Sequence, residues 1–137
     1  MAGFDLIIFD CDGVLVDSEI IAAQVESKLL TDAGYPISAE ELAERFAGLT
    51  WKDILFEVER EASIPFSATL LDASEALLDK KLGAEVRAIE GTAQAIARIG
   101  GQRCICSNSS SHRLKAMLAR TGLDRLFGDH VYSAKDL

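Results

Sequence analysis

Leu6-Ile7-Ile8-Phe9-Asp10-Cys11-Asp12-Gly13-Val14-Leu15-Val16-Asp17-Ser18-Glu19 is an apolar run that ends abruptly in two acids and a glycine. Leu6 to Phe9 are rich in strand formers and unbroken by polar residues, the pattern of a strand covered on both faces within a parallel sheet. The carboxylates therefore fall at its C-terminal end. Successive side chains of an extended backbone alternate faces, so Asp10 and Asp12 project to one side and Cys11 to the other. Two carboxylates sharing one small space repel, and a bound cation would relieve that repulsion. Gly13 permits a tight turn or a close backbone approach. So placed, one carboxylate can be a nucleophile that accepts a group covalently. The other can protonate the leaving oxygen and later deprotonate water. The same residues also suit a strand that merely ends in a polar turn.

Outward from this stretch, 137 residues of which 49% are hydrophobic can bury one moderate core. No apolar run approaches the roughly 18 residues a membrane helix needs. Met1 to Asp5 carry no basic segment ahead of an apolar core, so no secretory leader is expected and a cytoplasmic protein follows. A net charge of −8 argues against a nucleic-acid partner, which calls for a basic stripe. An anionic substrate would then have to be met locally, by a metal and by backbone N–H groups. Cys11, Cys104 and Cys106 have no zinc-site spacing and read as reduced structural thiols.

Four helical segments follow the first strand: Ile20 to Ala33, Ser38 to Ala47 with a Ser-x-x-Glu capping pattern, Asp53 to Ala62, and Ser67 to Leu82 closed by Gly83. Four helices in a row break the strand–helix alternation of an α/β chain, so they are expected to fold as an inserted bundle over residues 17–82. Alternation resumes with a helix from Thr92 to Ile99, a strand at Arg103 to Ser107, a helix from His112 to Thr121 and a strand at Val131 to Ser133. The expected fold is α/β: a Rossmann-like parallel sheet core from residues 1–16 and 83–137 with an inserted α-helical cap. Ligands of open parallel sheets bind at the C-terminal strand edge, which would bring Ser107 and Asn108 near Asp10 if the two strands are neighbours. The helix that follows would point its N–H groups toward the same edge. Ser110 and Ser111 read as caps of that helix.

Asp10-Cys11-Asp12-Gly13-Val14-Leu15-Val16-Asp17-Ser18 resembles the first signature of the haloacid dehalogenase superfamily, in its phosphoglycolate phosphatase and beta-phosphoglucomutase-like branch. The resemblance implies phosphoryl transfer onto Asp10, with Mg²⁺ held by the Asp10 carboxylate and the Asp12 main-chain carbonyl. Asp12 would then be the general acid and base. The second acid argues against dehalogenation, since a departing halide needs no proton whereas a departing alkoxide does. The family's second motif, a strand ending in Ser or Thr, is matched by Ser107, which would hold the transferring phosphoryl with Asn108 as helper. Residues 17–82 would be the cap, and Leu49, Thr50 and Lys52 in its Gly48-centred loop are candidate substrate contacts. Thr50 as a helix N-cap with Lys52 in solvent fits that loop equally.

The family pattern continues with a lysine and a strand ending in acids, and residues 1–137 contain neither in the matching place; Lys135 comes too early. With Asp10 as the single matching carboxylate, Mg²⁺ would be held weakly. This stretch alone, the first part of a core plus a whole cap, is expected to turn over little or nothing. The leading expectation is a Mg²⁺-dependent phosphatase of small phosphorylated metabolites. A sugar-phosphate mutase differs in using a second sugar hydroxyl in place of water, and a binding protein would keep the fold without the chemistry.

Overall fold

In a computed structural model of the chain, which describes residues 3–63, 65 and 67–137, Leu6–Phe9 forms strand β1. Met1 and Ala2, part of the start read for a leader, lie outside the described residues. The chain divides into two compact units, Met1–Glu19 with Lys81–Leu137, and Ile20–Lys80. The divide falls a few residues inside the 17–82 boundaries expected from the sequence. Ser18 is tied to the acid loop by its hydroxyl, and Leu82 and Val86 are buried core residues.

The second unit is helical. It takes most of helix α1 (Ser18–Asp32), all of α2 (Ala39–Arg45) and α3 (Trp51–Ala62), and the first part of α4 (Ser67–Glu85). Leu30, Ile37, Leu42, Phe46, Ile54, Leu55, Val58 and Leu70 form its core, with Trp51 and Tyr35 packed against it. In α3 the buried Ile54, Leu55 and Val58 recur at helical spacing on one face. This helix begins at Trp51, two residues before the expected start, because Thr50 and Asp53 form a reciprocal capping box. At Ser38 the side chain accepts the Glu41 N–H at 3.1 Å. Helix α4 does not stop at Gly83 but runs through it to Glu85. A glycine inside a helix costs roughly 1 kcal/mol relative to alanine, which weakens the helix without ending it.

The first unit holds β1, α5 (Thr92–Arg98), β2 (Gln102–Ser107), α6 (Ser111–Thr121), α7 (Asp124–Phe127), β3 (Val131–Ser133) and a final 3-10 turn, Ala134–Asp136. The three strands are parallel in the order β1-β2-β3, with Phe9 opposite Ile105 and Ser107 opposite Ser133. Helices α5 and α7 lie on the face that carries Phe9, Arg103 and Ile105. Phe9 meets Phe127 edge-on with ring centroids 5.7 Å apart. The Arg103 guanidinium donates to the carbonyls of Leu126 (2.7 Å), Ile96 (3.1 Å) and Ile99 (3.2 Å), tying the ends of α5 and α7 to β2.

The opposite face is where the expectation for β1 fails. Leu6 and Ile8 are 47% and 60% exposed, and Tyr132, on the same side, is 52% exposed. The parallel strands are added in one direction, β1-β2-β3, and right-handed crossovers then put the connecting helices on one face, leaving the face of Leu6 and Ile8 open. Where the chain leaves and re-enters this unit, two segments pair antiparallel. Asp17 N–H donates to Arg87 O at 2.8 Å, Ile89 N–H donates to Leu15 O at 3.0 Å, and Val16 faces Ala88. No helix among the described residues is long and apolar enough to cross a membrane.

Candidate active site

β1 delivers Asp10 to the C-terminal edge of the sheet, and the turn after it is built on one carbonyl. Cys11 O accepts the N–H groups of Val14 (3.2 Å), Leu15 (2.9 Å) and Val16 (3.2 Å), while Gly13 N–H donates to Val16 O at 2.9 Å. The turn requires Gly13 at φ +74°, and a Cβ there would lie 2.8 Å from Glu19 Oε1. Glycine is therefore demanded twice, by backbone conformation and by the Glu19 carboxylate lying against it.

The Cys11 side chain points into the core and is fully buried. Burial first, and then the neighbouring Asp12 and Asp10 charges, push its thiol up to about 12. It is inert as a nucleophile. Asp10 is exposed, and its Oδ1 accepts the Cys11 N–H at 2.8 Å. Asp12 is held far more closely. Its Oδ1 accepts the Ser18 hydroxyl at 2.8 Å, and its Oδ2 accepts those of Ser109 at 2.7 Å and Ser107 at 3.3 Å. Hydrogen bonds to a charged acceptor are the stronger kind, so this carboxylate is fixed in one orientation.

Because β1 and β2 are neighbours, the tip of β2 comes to the same edge. Asp10, Ser107 and Asn108 line one cavity of ≈ 400 Å³ with Cys106, Tyr132, Ser133, Ala134 and Leu137. α6 starts beside it, with Ser110 as N-cap accepting the Arg113 N–H at 3.2 Å. Ser111 is not a cap: its hydroxyl donates to Asp136 in the 3-10 turn. His112 is exposed.

The structure thus brings Asp10, Asp12, Ser107 and Asn108 together within one unit. Leu49, Thr50 and Lys52 belong to the other unit, where local structure occupies two of them. The Thr50 hydroxyl donates to Asp53 Oδ2 at 2.7 Å and accepts the Asp53 N–H at 3.2 Å. The Lys52 ammonium sits 6.0 Å from the centroid of the Phe56 ring, and Leu49 is 46% exposed. Sequence reasoning missed Ser109 and the Ser18–Asp12 bond. The available signal was spacing, since Ser109 follows Ser107 by two, as Asp12 follows Asp10.

Oxygen donors of this kind suit a hard cation. Among the described residues, however, no group of three or more His, Cys, Asp or Glu is placed to hold a metal ion.

The sequence pattern of the haloacid dehalogenase-like hydrolase family matches residues 7–137. A crystal structure of a haloacid dehalogenase-like protein of unknown function from Agrobacterium tumefaciens is 69% identical and superposes with a TM-score of 0.90, over 98% of this chain and 60% of that one. A haloacid dehalogenase family hydrolase from Deinococcus radiodurans, solved with bound phosphate and sodium, is 34% identical with a TM-score of 0.72, over 96% of this chain and 58% of that one. The 6-phosphogluconate phosphatase of Escherichia coli is 26% identical over 138 residues, which is 100% of this chain and 62% of that protein. The chain therefore spans less than two thirds of the length of each of these relatives.

Proposed function

We propose that this chain, which belongs to the haloacid dehalogenase-like hydrolase family, carries the reacting residues of a phosphatase for small phosphorylated metabolites. The observation that supports it is the pairing of an exposed carboxylate, Asp10, with a second one, Asp12, gripped by three serine hydroxyls at the same sheet edge. A role in the fold alone gives no reason to concentrate unneutralised carboxylates and hydroxyls at a strand tip.

In this reading an Asp10 oxygen attacks phosphorus, the bond to the ester oxygen breaks, and Asp12 gives its proton to the departing alkoxide. Asp12 then takes a proton from water, which attacks the phosphoaspartate, releases phosphate and restores Asp10. Ser107 and Asn108 hold the phosphoryl oxygens, and the start of α6 faces them with its N–H groups. Mg²⁺, held by the Asp10 carboxylate and the Asp12 carbonyl, would offset the negative charge that the substrate brings. Held by those two oxygens alone, it would bind weakly in the absence of phosphate. The helical unit serves as the cap. The curated relative puts phosphorylated sugar acids first among substrates to try.

The test is to incubate the protein with Mg²⁺ and a panel of labelled phosphate esters, 6-phosphogluconate first, and to look for hydroxylamine-sensitive label on Asp10. Asp10→Asn should lose label and turnover while keeping its unfolding midpoint. Hydrolysis or label that survives in Asp10→Asn overturns the reading. A binding protein that has kept the fold is the second reading. Its partner affinity would survive Asp10→Asn.

A further inference from the structure

Ser109 touches the ends of all three strands. Its hydroxyl donates to Asp12 Oδ2 at 2.7 Å, in the loop after β1. Its N–H donates to the Ser107 hydroxyl at 3.1 Å, at the tip of β2. Its carbonyl accepts the Ser133 hydroxyl at 2.6 Å, at the tip of β3. Once Asp12 has given up its proton and is ionised it only accepts, so in that state the Ser107 and Ser109 hydroxyls each spend their one proton on it. The Ser133 oxygen accepts the Lys135 N–H at 3.1 Å, and its own proton points at Ser109 O.

This arrangement makes Ser107 and Ser109 unequal. Ser107 cannot donate at once to Asp12 and to a phosphoryl oxygen, and its contact with Asp12, at 3.3 Å, is the longer of the two. When Ser107 turns to a phosphoryl group, the hold on Oδ2 passes to Ser109. The Ser133 hydroxyl holds the Ser109 carbonyl at 2.6 Å whichever way the Ser107 hydroxyl turns.

We infer that Ser109 is a positioning residue for Asp12, holding the carboxylate in its working orientation while Ser107 serves the phosphoryl group. The inference rests on the acid–base role given to Asp12 above. Ser109 itself need not touch substrate.

The test compares Ser109→Ala and Ser109→Thr with the unaltered protein in two measurements. One is steady-state hydrolysis of a phosphate ester. The other is the set of NMR couplings across the Asp12 Cα–Cβ bond, which report its rotamer without any turnover. Ser109→Ala should lower kcat about tenfold, part of the roughly 100-fold or more that a positioned acid–base group supplies, with KM unchanged within about twofold. The Asp12 couplings should move from one rotamer toward an average. Ser109→Thr, which keeps the hydroxyl, should restore both, and an unchanged amide spectrum of the first unit away from the Ser109 loop shows that neither variant has unfolded. Unaltered couplings in Ser109→Ala overturn the inference, as does a rise in KM alone, which would make Ser109 a substrate ligand. Where the unaltered stretch turns over too little ester to measure, as expected of it alone, the couplings decide the role of Ser109. Label or turnover that survives in Asp10→Asn is what would sink the phosphatase reading.

Discussion

Replacing Gly13 by alanine separates two costs that the structure superimposes at the acid loop. At φ +74° an alanine occupies left-handed backbone space, which disfavours an L-residue by about 1–2 kcal/mol. The new Cβ would also stand 2.8 Å from Glu19 Oε1 and 2.9 Å from Glu19 Cδ. The Glu19 carboxylate ends a flexible side chain, so it swings aside at the cost of a less favourable rotamer, about 0.5–1 kcal/mol. Gly13→Ala should therefore destabilise the first unit by about 2 kcal/mol. Glu19→Ala alone should change stability by less than about 0.5 kcal/mol, as exposed substitutions do. The double variant should recover the side-chain part and keep the backbone part, a coupling of roughly 0.5–1 kcal/mol. Urea unfolding followed by far-UV circular dichroism measures all four proteins, with an unchanged slope on denaturant as the check on comparability. Full recovery in the double variant would refute the backbone argument. A loss below about 0.5 kcal/mol in Gly13→Ala would refute both parts.

Two further outcomes concern the helical unit, where Trp51, the one tryptophan of the sequence, gives a fluorescence signal for its unfolding. Burial raises the Glu26 carboxyl from 4.5 to about 7. The unfolded chain loses this proton above about 4.5 while the folded unit keeps it to about 7. The contribution to stability is thus complete below pH 4.5 and lost as pH rises through 7. Glu26→Gln should flatten that slope and raise stability at pH 8 by up to about 3 kcal/mol; an unchanged slope in urea melts at pH 5 and pH 8 would contradict it. Thr50→Ala removes the hydroxyl arm of the α3 capping box and should lower the Trp51 midpoint by an amount equivalent to about 1 kcal/mol, with Thr50→Ser restoring most of it.

Local pattern carried the element order well. The unbroken run at Leu6 to Phe9, the alternation around Arg103 to Ser107 and the short Val131 to Ser133 segment all form strands, and the amphipathic repeats between them form helices. The strand-tip argument also foresaw that Ser107 would lie near the acids, since it follows from parallel neighbours alone. What failed depends on information absent from any short window. Leu6 and Ile8 read as buried because apolar runs usually are, whereas their exposure follows from the helices α5 and α7 packing on the opposite face of the sheet. Gly83 read as a stop, but nothing there forces positive φ, and the helix passes through. Ser109 meets Asp12 across 97 positions of sequence, and its two-residue spacing from Ser107 was a faint cue within a serine-rich run.

The antiparallel clasp of Leu15 to Asp17 with Arg87 to Ile89 has a consequence for modularity. It has the geometry of a hairpin stem whose hairpin loop is an entire helical bundle. Closure entropy grows only with the logarithm of loop length, so spanning about 70 residues in place of a tight turn costs about 2–3 kcal/mol. A clasp of a few hydrogen bonds, backed by the buried Leu15 and Val16, can bear that. The bundle is thus interchangeable in principle. Inserts of other lengths and surfaces could be grafted between the same two stem segments, leaving the pairing of β1 with β2 undisturbed.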